Sequence, residues 1–258
     1  MTVERCKGSP FAKHRPAASA GRTAHWNRIY GTRTAAERSW TQKRPARSLA
    51  FVRAARLPAG SLLLDAGCGA STLADHLLRQ GRLNLVLVDV SSKALRETRS
   101  RLGRRAAGVR WLRADLAADR LALPIDLWHD RAVLHFLTRA PERRRYFENV
   151  RRCVRPGGFV VLSGFAPSGP EQCSGLPVRR RSAADLMREL GPQFRLLRRS
   201  SERHRTPWGG LQDFVYLLAR RRLRPPRSAG PQSVLPDDPP PGPVAPSAPP
   251  RSTSQAPS

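Results

Sequence analysis

An apolar run, Leu62-Leu63-Leu64, ends in Asp65 and continues as Ala66-Gly67-Cys68-Gly69-Ala70-Ser71-Thr72. Glycines at positions 67 and 69 let a backbone turn tightly and approach a ligand without a Cβ in the way, and a helix starting just after them presents unsatisfied N–H groups. A dinucleotide fingerprint asks for a third glycine where this chain has Thr72. Asp65 discriminates further, because a carboxylate at the end of a first strand repels a pyrophosphate and suits a ligand carrying an ammonium and a sulfonium. A second apolar run ends in Asp89, 24 positions on (89 minus 65), where a carboxylate can accept from both hydroxyls of a ribose, with Val90 beside it to pack on an adenine. A third run ends at Ala114-Asp115-Leu116, with Asp115 placed to accept from an exocyclic amine and Leu116 next to it. Each acid alone also reads as a helix N-cap or a surface charge; together with the glycine loop they make one rim.

Five strand-like runs, 61–65, 84–90, 109–113, 125–129 and 158–163, alternate with helical patterns over 48–55, 72–79, 92–102 and 141–153. That alternation is the signature of βαβ units and a parallel sheet whose strand ends carry the ligand site. Ser91 and Ser92 are candidate N-caps, Val154 continues the apolar face of the fourth helix, and Pro156-Gly157-Gly158 stops that helix before the fifth strand. A short helix over 182–190 and two strands, 194–198 and 214–219, close the pattern as an antiparallel hairpin across a long loop.

With these residues in order, the ligand is expected to be S-adenosylmethionine. The chain resembles the seven-stranded (class I) S-adenosylmethionine-dependent methyltransferases over about residues 25–220, on the glycine loop, Asp89, Asp115 and the Arg155-Pro156-Gly157-Gly158 turn. The resemblance implies a doubly wound, mostly parallel, Rossmann-like sheet of seven strands with an antiparallel last strand, and leaves the methyl acceptor open. The stretch Trp128-His129-Asp130-Arg131-Ala132-Val133-Leu134-His135-Phe136 is similar to the Asp-Arg-Gly motif of thiopurine-methyltransferase-like enzymes, with Ala132 in place of the glycine. It implies acceptor-side roles for Asp130 and Arg131. Asp130 or His135 would take a proton if the acceptor arrives protonated, although His135 also reads as a core histidine. Trp26, Tyr30, Trp40 and Gln42 resemble a lid segment, or else pack an N-terminal helix on the sheet. The stretches 173–178 and 204–209 fall where relatives build the acceptor pocket, or are simple loop walls. The expected reaction is in-line methyl transfer to a small molecule, with a protein lysine, an RNA and a noncatalytic cofactor-binding role as successive alternatives.

The chain has 258 residues, and its longest apolar runs are a few residues long, too short to cross a membrane. The four cysteines, Cys6, Cys68, Cys153 and Cys173, show no metal-ligand spacing, so a reduced compartment and no metal are expected. A net charge of +28 ordinarily points to nucleic acid, but 43 of the 47 basic residues are arginine (47 minus Lys7, Lys13, Lys43 and Lys93), spread through an Ala- and Pro-rich chain. That looks like compositional bias, and nucleic acid is not expected as a specific substrate. From residue 224 the chain holds 12 of its 24 prolines. The organisation read from this is a disordered leader over 1–23, a methyltransferase domain over 24–223 and a disordered proline-rich tail over 224–258. With Pro10 and Pro16 breaking any leader helix and no apolar core to make a secretory signal, a cytoplasmic location is expected.

Overall fold

The computed structural model describes residues 17–81 and 83–223. Helix α1 (Ala17–Thr32) is followed by α2 (Ala46–Ala54), strand β1 (Leu62–Ala66), α3 (Leu73–Gln80), β2 (Asn84–Asp89), α4 (Ser92–Leu102) and β3 (Val109–Arg113). Then come β4 (Ile125–Arg131), α5 (Ala140–Cys153), β5 (Val154–Phe165), a small hairpin of β6 (Gln172–Cys173) and β7 (Leu176–Pro177), α6 (Ala183–Leu190), β8 (Phe194–Arg205) and β9 (Leu211–Arg221). One sheet takes seven strands in the order β3-β2-β1-β4-β5-β9-β8. The first five are parallel, and β9, the last in the chain, slots between β5 and β8 antiparallel to both, as the resemblance implied.

Strand parity builds a core on each face. Leu64, Val86, Trp128 and Val160 point to the side covered by α5 and α6, where Tyr146, Val150 and Leu186 meet them. Their neighbours Leu63, Leu85, Leu87, Leu127 and Val161 point to the opposite side, against Phe51 of α2, Leu77 of α3 and Leu102 of α4. Both faces are thus apolar and covered, which is why the central strands read as continuous hydrophobic runs.

Four readings from the sequence change. The leader is not disordered throughout: residues 17–23 open α1, because a proline is tolerated at the start of a helix and breaks only its interior; residues 1–16 and the proline-rich tail lie outside the described residues. Val154 heads β5 rather than ending α5. The Pro156-Gly157-Gly158 turn is a bulge inside the β4–β5 ladder, which pairs Ile125 with Val154 and then Leu127 with Phe159. The long loop expected between the last strands is a tight turn, with Thr206 N–H donating to Gly210 O at 2.8 Å and Gly209 N–H to Thr206 O at 2.9 Å. Residues 199–205 hid their strand character because β8 is a sheet edge whose polar side chains face solvent.

Candidate functional site

The glycine loop leaves β1 with Gly67 at φ +63° and Gly69 at φ +53°, both left-handed. A Cβ at Gly67 would collide with Val133, and one at Gly69 with the Tyr30 hydroxyl, so the two glycines let the segment after β4 and helix α1 close on the loop. The loop is tied down by Cys68 N–H to Val88 O (2.9 Å), Gly69 N–H to Asp89 Oδ2 (2.8 Å) and Thr98 Oγ1 to Gly69 O (2.8 Å).

Asp65 is buried and sits opposite His129 in the parallel ladder, with the Nδ1 of His129 2.7 Å from its Oδ1. Asp89 ends β2; one carboxylate oxygen accepts from Gly69 N–H and the other from Ser91 N–H at 2.7 Å. Burial pushes its carboxyl up to about 6, against the lowering pull of those two hydrogen bonds. Ser91, as expected, caps α4 by accepting from Ala94 N–H. Asp115 accepts from Ala117 N–H and pairs at 2.9 Å with Arg22 of α1, whose guanidinium also reaches Glu142 at 2.7 Å. Asp89, Val90, Asp115 and Leu116 line one open cleft of about 860 Å³, and Asp65, Gly67 and Gly69 line an adjoining one of about 560 Å³. Arg131, Trp40 and Tyr30 line both.

Asp130 departs from its expected role. It is fully buried on the α5 face, where it accepts from the Tyr146 hydroxyl, from Val133 N–H (2.9 Å) and from Leu134 N–H (3.2 Å). The cause is strand parity, because Asp130 follows Trp128 to one side of β4 while His129 and Arg131 turn to the other. Asp130 is therefore a turn anchor, and its carboxyl, pushed up to about 6 by burial, does not face the cleft. Ala132, in the glycine position of the motif, adopts φ +74°, the conformation a glycine would relieve.

Arg131 does face the cleft. It donates from Nε to the Tyr216 hydroxyl (3.1 Å) and from Nη1 to Trp40 O (3.0 Å), and its guanidinium lies 5.0 Å over the Phe214 ring. Two acids are engaged elsewhere: Asp126 pairs with Arg155 and Glu142 with Arg22. His135 also lines the cleft but is 1% exposed, stacked near Phe136 and Phe165. Burial, reinforced by the charges of Arg181 and Arg131, pushes it down to about 3, so it is neutral and a poor proton acceptor.

The roof comes from the N-terminal elements. Trp26 packs edge-on against Phe136 (4.9 Å) and Trp40 (5.9 Å), and Tyr30 stacks under Arg38, which pairs with Glu97. Gln42 instead bridges to Glu202 and His204 near the β8–β9 hairpin. Cys173 lines the cleft from the β6–β7 hairpin, whereas Trp208 is 61% exposed in the tight turn. Sequence reasoning missed Arg22, placed in the presumed leader, and His129, whose pairing with Asp65 follows only from the strand register.

A set of three carboxylates at successive strand ends, a turn of glycines and an aromatic roof fits a ligand with an ammonium, a ribose and an adenine. Among the described residues no cluster of His, Cys, Asp or Glu could hold a metal, and no helix is long and apolar enough to cross a membrane.

Comparison with known proteins agrees with this geometry. Residues 64–160 match a family described as a methyltransferase domain. Over 111 residues the chain is 33% identical to trans-aconitate 2-methyltransferase of Azoarcus sp. (strain BH72), a match covering 42% of this chain and 41% of that relative, so the chain spans less than half the length of it. The fold is shared with the N-methyltransferase NodS from Bradyrhizobium japonicum WM9 in complex with S-adenosyl-L-homocysteine, at TM-score 0.58 and 18% identity over 77% of this chain and 97% of that one. It is shared too with a structure described as converting a disulfide bond into a thioacetal group during echinomycin biosynthesis, at TM-score 0.60 and 22% identity over 78% of this chain and 93% of that one.

Proposed function

We propose that the protein is a class I, S-adenosylmethionine-dependent methyltransferase, a reading supported by the methyltransferase-domain match over residues 64–160, and that it transfers a methyl group to a small-molecule acceptor held beneath α1. The observation that carries this reading is the rim of Asp65, Asp89 and Asp115 opening into a cleft closed by Trp26 and Trp40. The Azoarcus relative is named for a small acceptor, trans-aconitate, which favours the same size class here.

When bound, S-adenosylmethionine supplies an electrophilic methyl group on a sulfonium. Asp65, oriented by His129, would hold its ammonium; Asp89 would accept from the ribose hydroxyls; Val90 and Leu116 would flank the adenine, with Asp115 at its amine edge. The aromatic roof excludes water and fixes the line of approach, the main contribution a protein makes to such a displacement. Asp130 is spent on the turn and burial makes His135 a weak base, so neither is assigned the removal of a proton in the cleft.

Titration calorimetry should show S-adenosylhomocysteine binding and no NAD binding, and labelled S-adenosylmethionine should mark a metabolite extract rather than a proteome or total RNA. Tighter binding of NAD than of S-adenosylhomocysteine would sink the reading.

A further inference from the structure

Every large apolar side chain exposed among the described residues belongs to one hairpin: Leu196, Leu197, Trp208 and Leu211 lie on β8, β9 and the turn between them, and Leu223 follows just after β9. Single exposed leucines are ordinary, whereas a set gathered on one hairpin makes a patch. Residues 194–222 also hold eight arginines against two acids, Glu202 and Asp213. Strand β8 is the outermost of the sheet, and among the described residues no strand pairs with its far side, so a row of backbone N–H and C=O groups is left open there.

A bulge between Leu196 and Arg198 interrupts the β8–β9 ladder, and beyond it β8 alternates regularly. Glu202 and His204 turn to one face, where Gln42 bridges them and His204 donates to Ser39 O. Arg199, Ser201, Arg203 and Arg205 turn to the other and are all exposed, opposite Leu217, Val215, Asp213 and Leu211 of β9. Arg203 pairs with Asp213 at 3.2 Å, while Arg199 and Arg205 have no carboxylate within ion-pair distance among the described residues. Exposed Leu211 and half-buried Val215 sit among these arginines, so the surface is amphipathic as well as charged.

Arginines on an edge repel a second copy of the same strand, because pairing would set like charges opposite one another. The same row attracts a strand of opposite charge, since guanidinium and carboxylate form bidentate pairs. A nucleic-acid backbone answers the charge but not the leucine or the alternating N–H and C=O groups of the edge; a polypeptide answers all three.

We propose that the far edge of β8, over residues 199–205, is a docking site for an extended acidic segment of a partner protein, which joins the sheet as an eighth strand with carboxylates at every second position facing Arg199, Arg203 and Arg205. The site is separate from the cofactor cleft and stands independently of the methyl-transfer reading.

The test uses the full chain at physiological ionic strength and two end-blocked peptides of equal charge, Glu-Thr-Glu-Thr-Glu-Thr-Glu and Glu-Pro-Glu-Pro-Glu-Pro-Glu. The proline peptide keeps every carboxylate and loses the N–H donors needed to join a sheet. Calorimetry should show the threonine peptide binding on the order of tenfold or more tighter, and its binding should slow amide exchange over residues 199–205. Arg199→Glu combined with Arg205→Glu should weaken that peptide by about tenfold or more and leave S-adenosylhomocysteine affinity within about twofold. Equal binding of the two peptides, no binding of either, or exchange protection confined to other segments overturns the proposal, and these comparisons on the unaltered protein stand even if the double variant fails to fold. Tighter binding of oligouridylate or of phosphatidylserine vesicles than of the threonine peptide, lost in the double variant, also overturns it, in favour of nucleic acid or a membrane surface. Sedimentation showing a dimer of the chain alone that the double variant abolishes assigns the edge to a second copy instead. A chain that fails to bind S-adenosylhomocysteine but keeps the peptide preference would remove the functional reading and leave the docking site standing.

Discussion

Asp65 and His129 face each other across the β1–β4 ladder at 2.7 Å, and the ring's other nitrogen, Nε2, is buried without a partner. The imidazole is therefore held by the carboxylate alone. Asp65→Ala should remove the ammonium contact and leave His129 unpaired, so S-adenosylhomocysteine binding should fall well over tenfold and stability by about 1–3 kcal/mol. Calorimetry and chemical denaturation on one preparation check both; a stable variant with unchanged affinity would place the ammonium elsewhere.

Asp89 makes cofactor binding depend on pH. Its carboxyl is pushed from the usual 3.8 up to about 6, chiefly by burial. As the proposed ribose acceptor, the carboxylate would accept from both hydroxyls above that value and lose one acceptor to a proton below it, so affinity for S-adenosylhomocysteine should weaken as pH falls through about 6. Asp89→Asn should flatten that profile and lower affinity at pH 8. For stability the sign is opposite: between 3.8 and about 6 the folded chain keeps protons at Asp89 and Asp130 that the unfolded chain has released, so their contribution to stability falls as pH rises through that window.

Asp130 should behave as a structural residue. Asp130→Ala strands the Tyr146 hydroxyl and the Val133 and Leu134 N–H groups, so a loss of about 3 kcal/mol is expected by denaturation, with cofactor affinity in the folded fraction unchanged. A stable variant that binds cofactor and loses only turnover would restore it to the chemistry.

Ala132→Gly should raise stability by about 1 kcal/mol, because alanine is strained at φ +74° and glycine is not. A melting temperature that falls would mean that the chain's freedom in the unfolded state outweighs the relief of strain.

Arg22→Ala should loosen α1 while sparing the sheet, since the side chain ties that helix to Asp115 and Glu142. Hydrogen exchange should quicken over residues 17–32 and stay constant in β1, β4 and β5; uniform change would show that α1 is part of the global folding unit.

The parts legible in the sequence were those with strong local signals. The apolar runs of β1, β2, β4 and β5 are buried on both faces, and the glycine loop and the three strand-end acids carry their own chemistry. Helix α1 was offered only as an alternative, without bounds, because Ala17–Thr32 is mostly small and polar, and of its three large apolar side chains, Trp26, Ile29 and Tyr30, two, Trp26 and Tyr30, line a cleft made by distant elements. Asp130 was misplaced for a different reason: a residue beside Arg131 in sequence lies on the other face of the sheet, and only the phase of β4 reveals which. The Arg22–Asp115 pair joins positions 93 apart, and nothing local encodes it.

The insertion of β9 between β5 and β8 also governs how the chain is made. The outer edge of β5, Phe159 to Phe165, hydrogen-bonds to residues 214–220, so its nearest partner is synthesised 49 residues later (214 minus 165). Until then a nascent chain holds a finished parallel sheet with one long apolar edge open to other strands. Chains arrested before residue 211 should pair edge to edge and require chaperones, and the β8–β9 hairpin acts as the final latch that makes the molecule safe in a crowded cell.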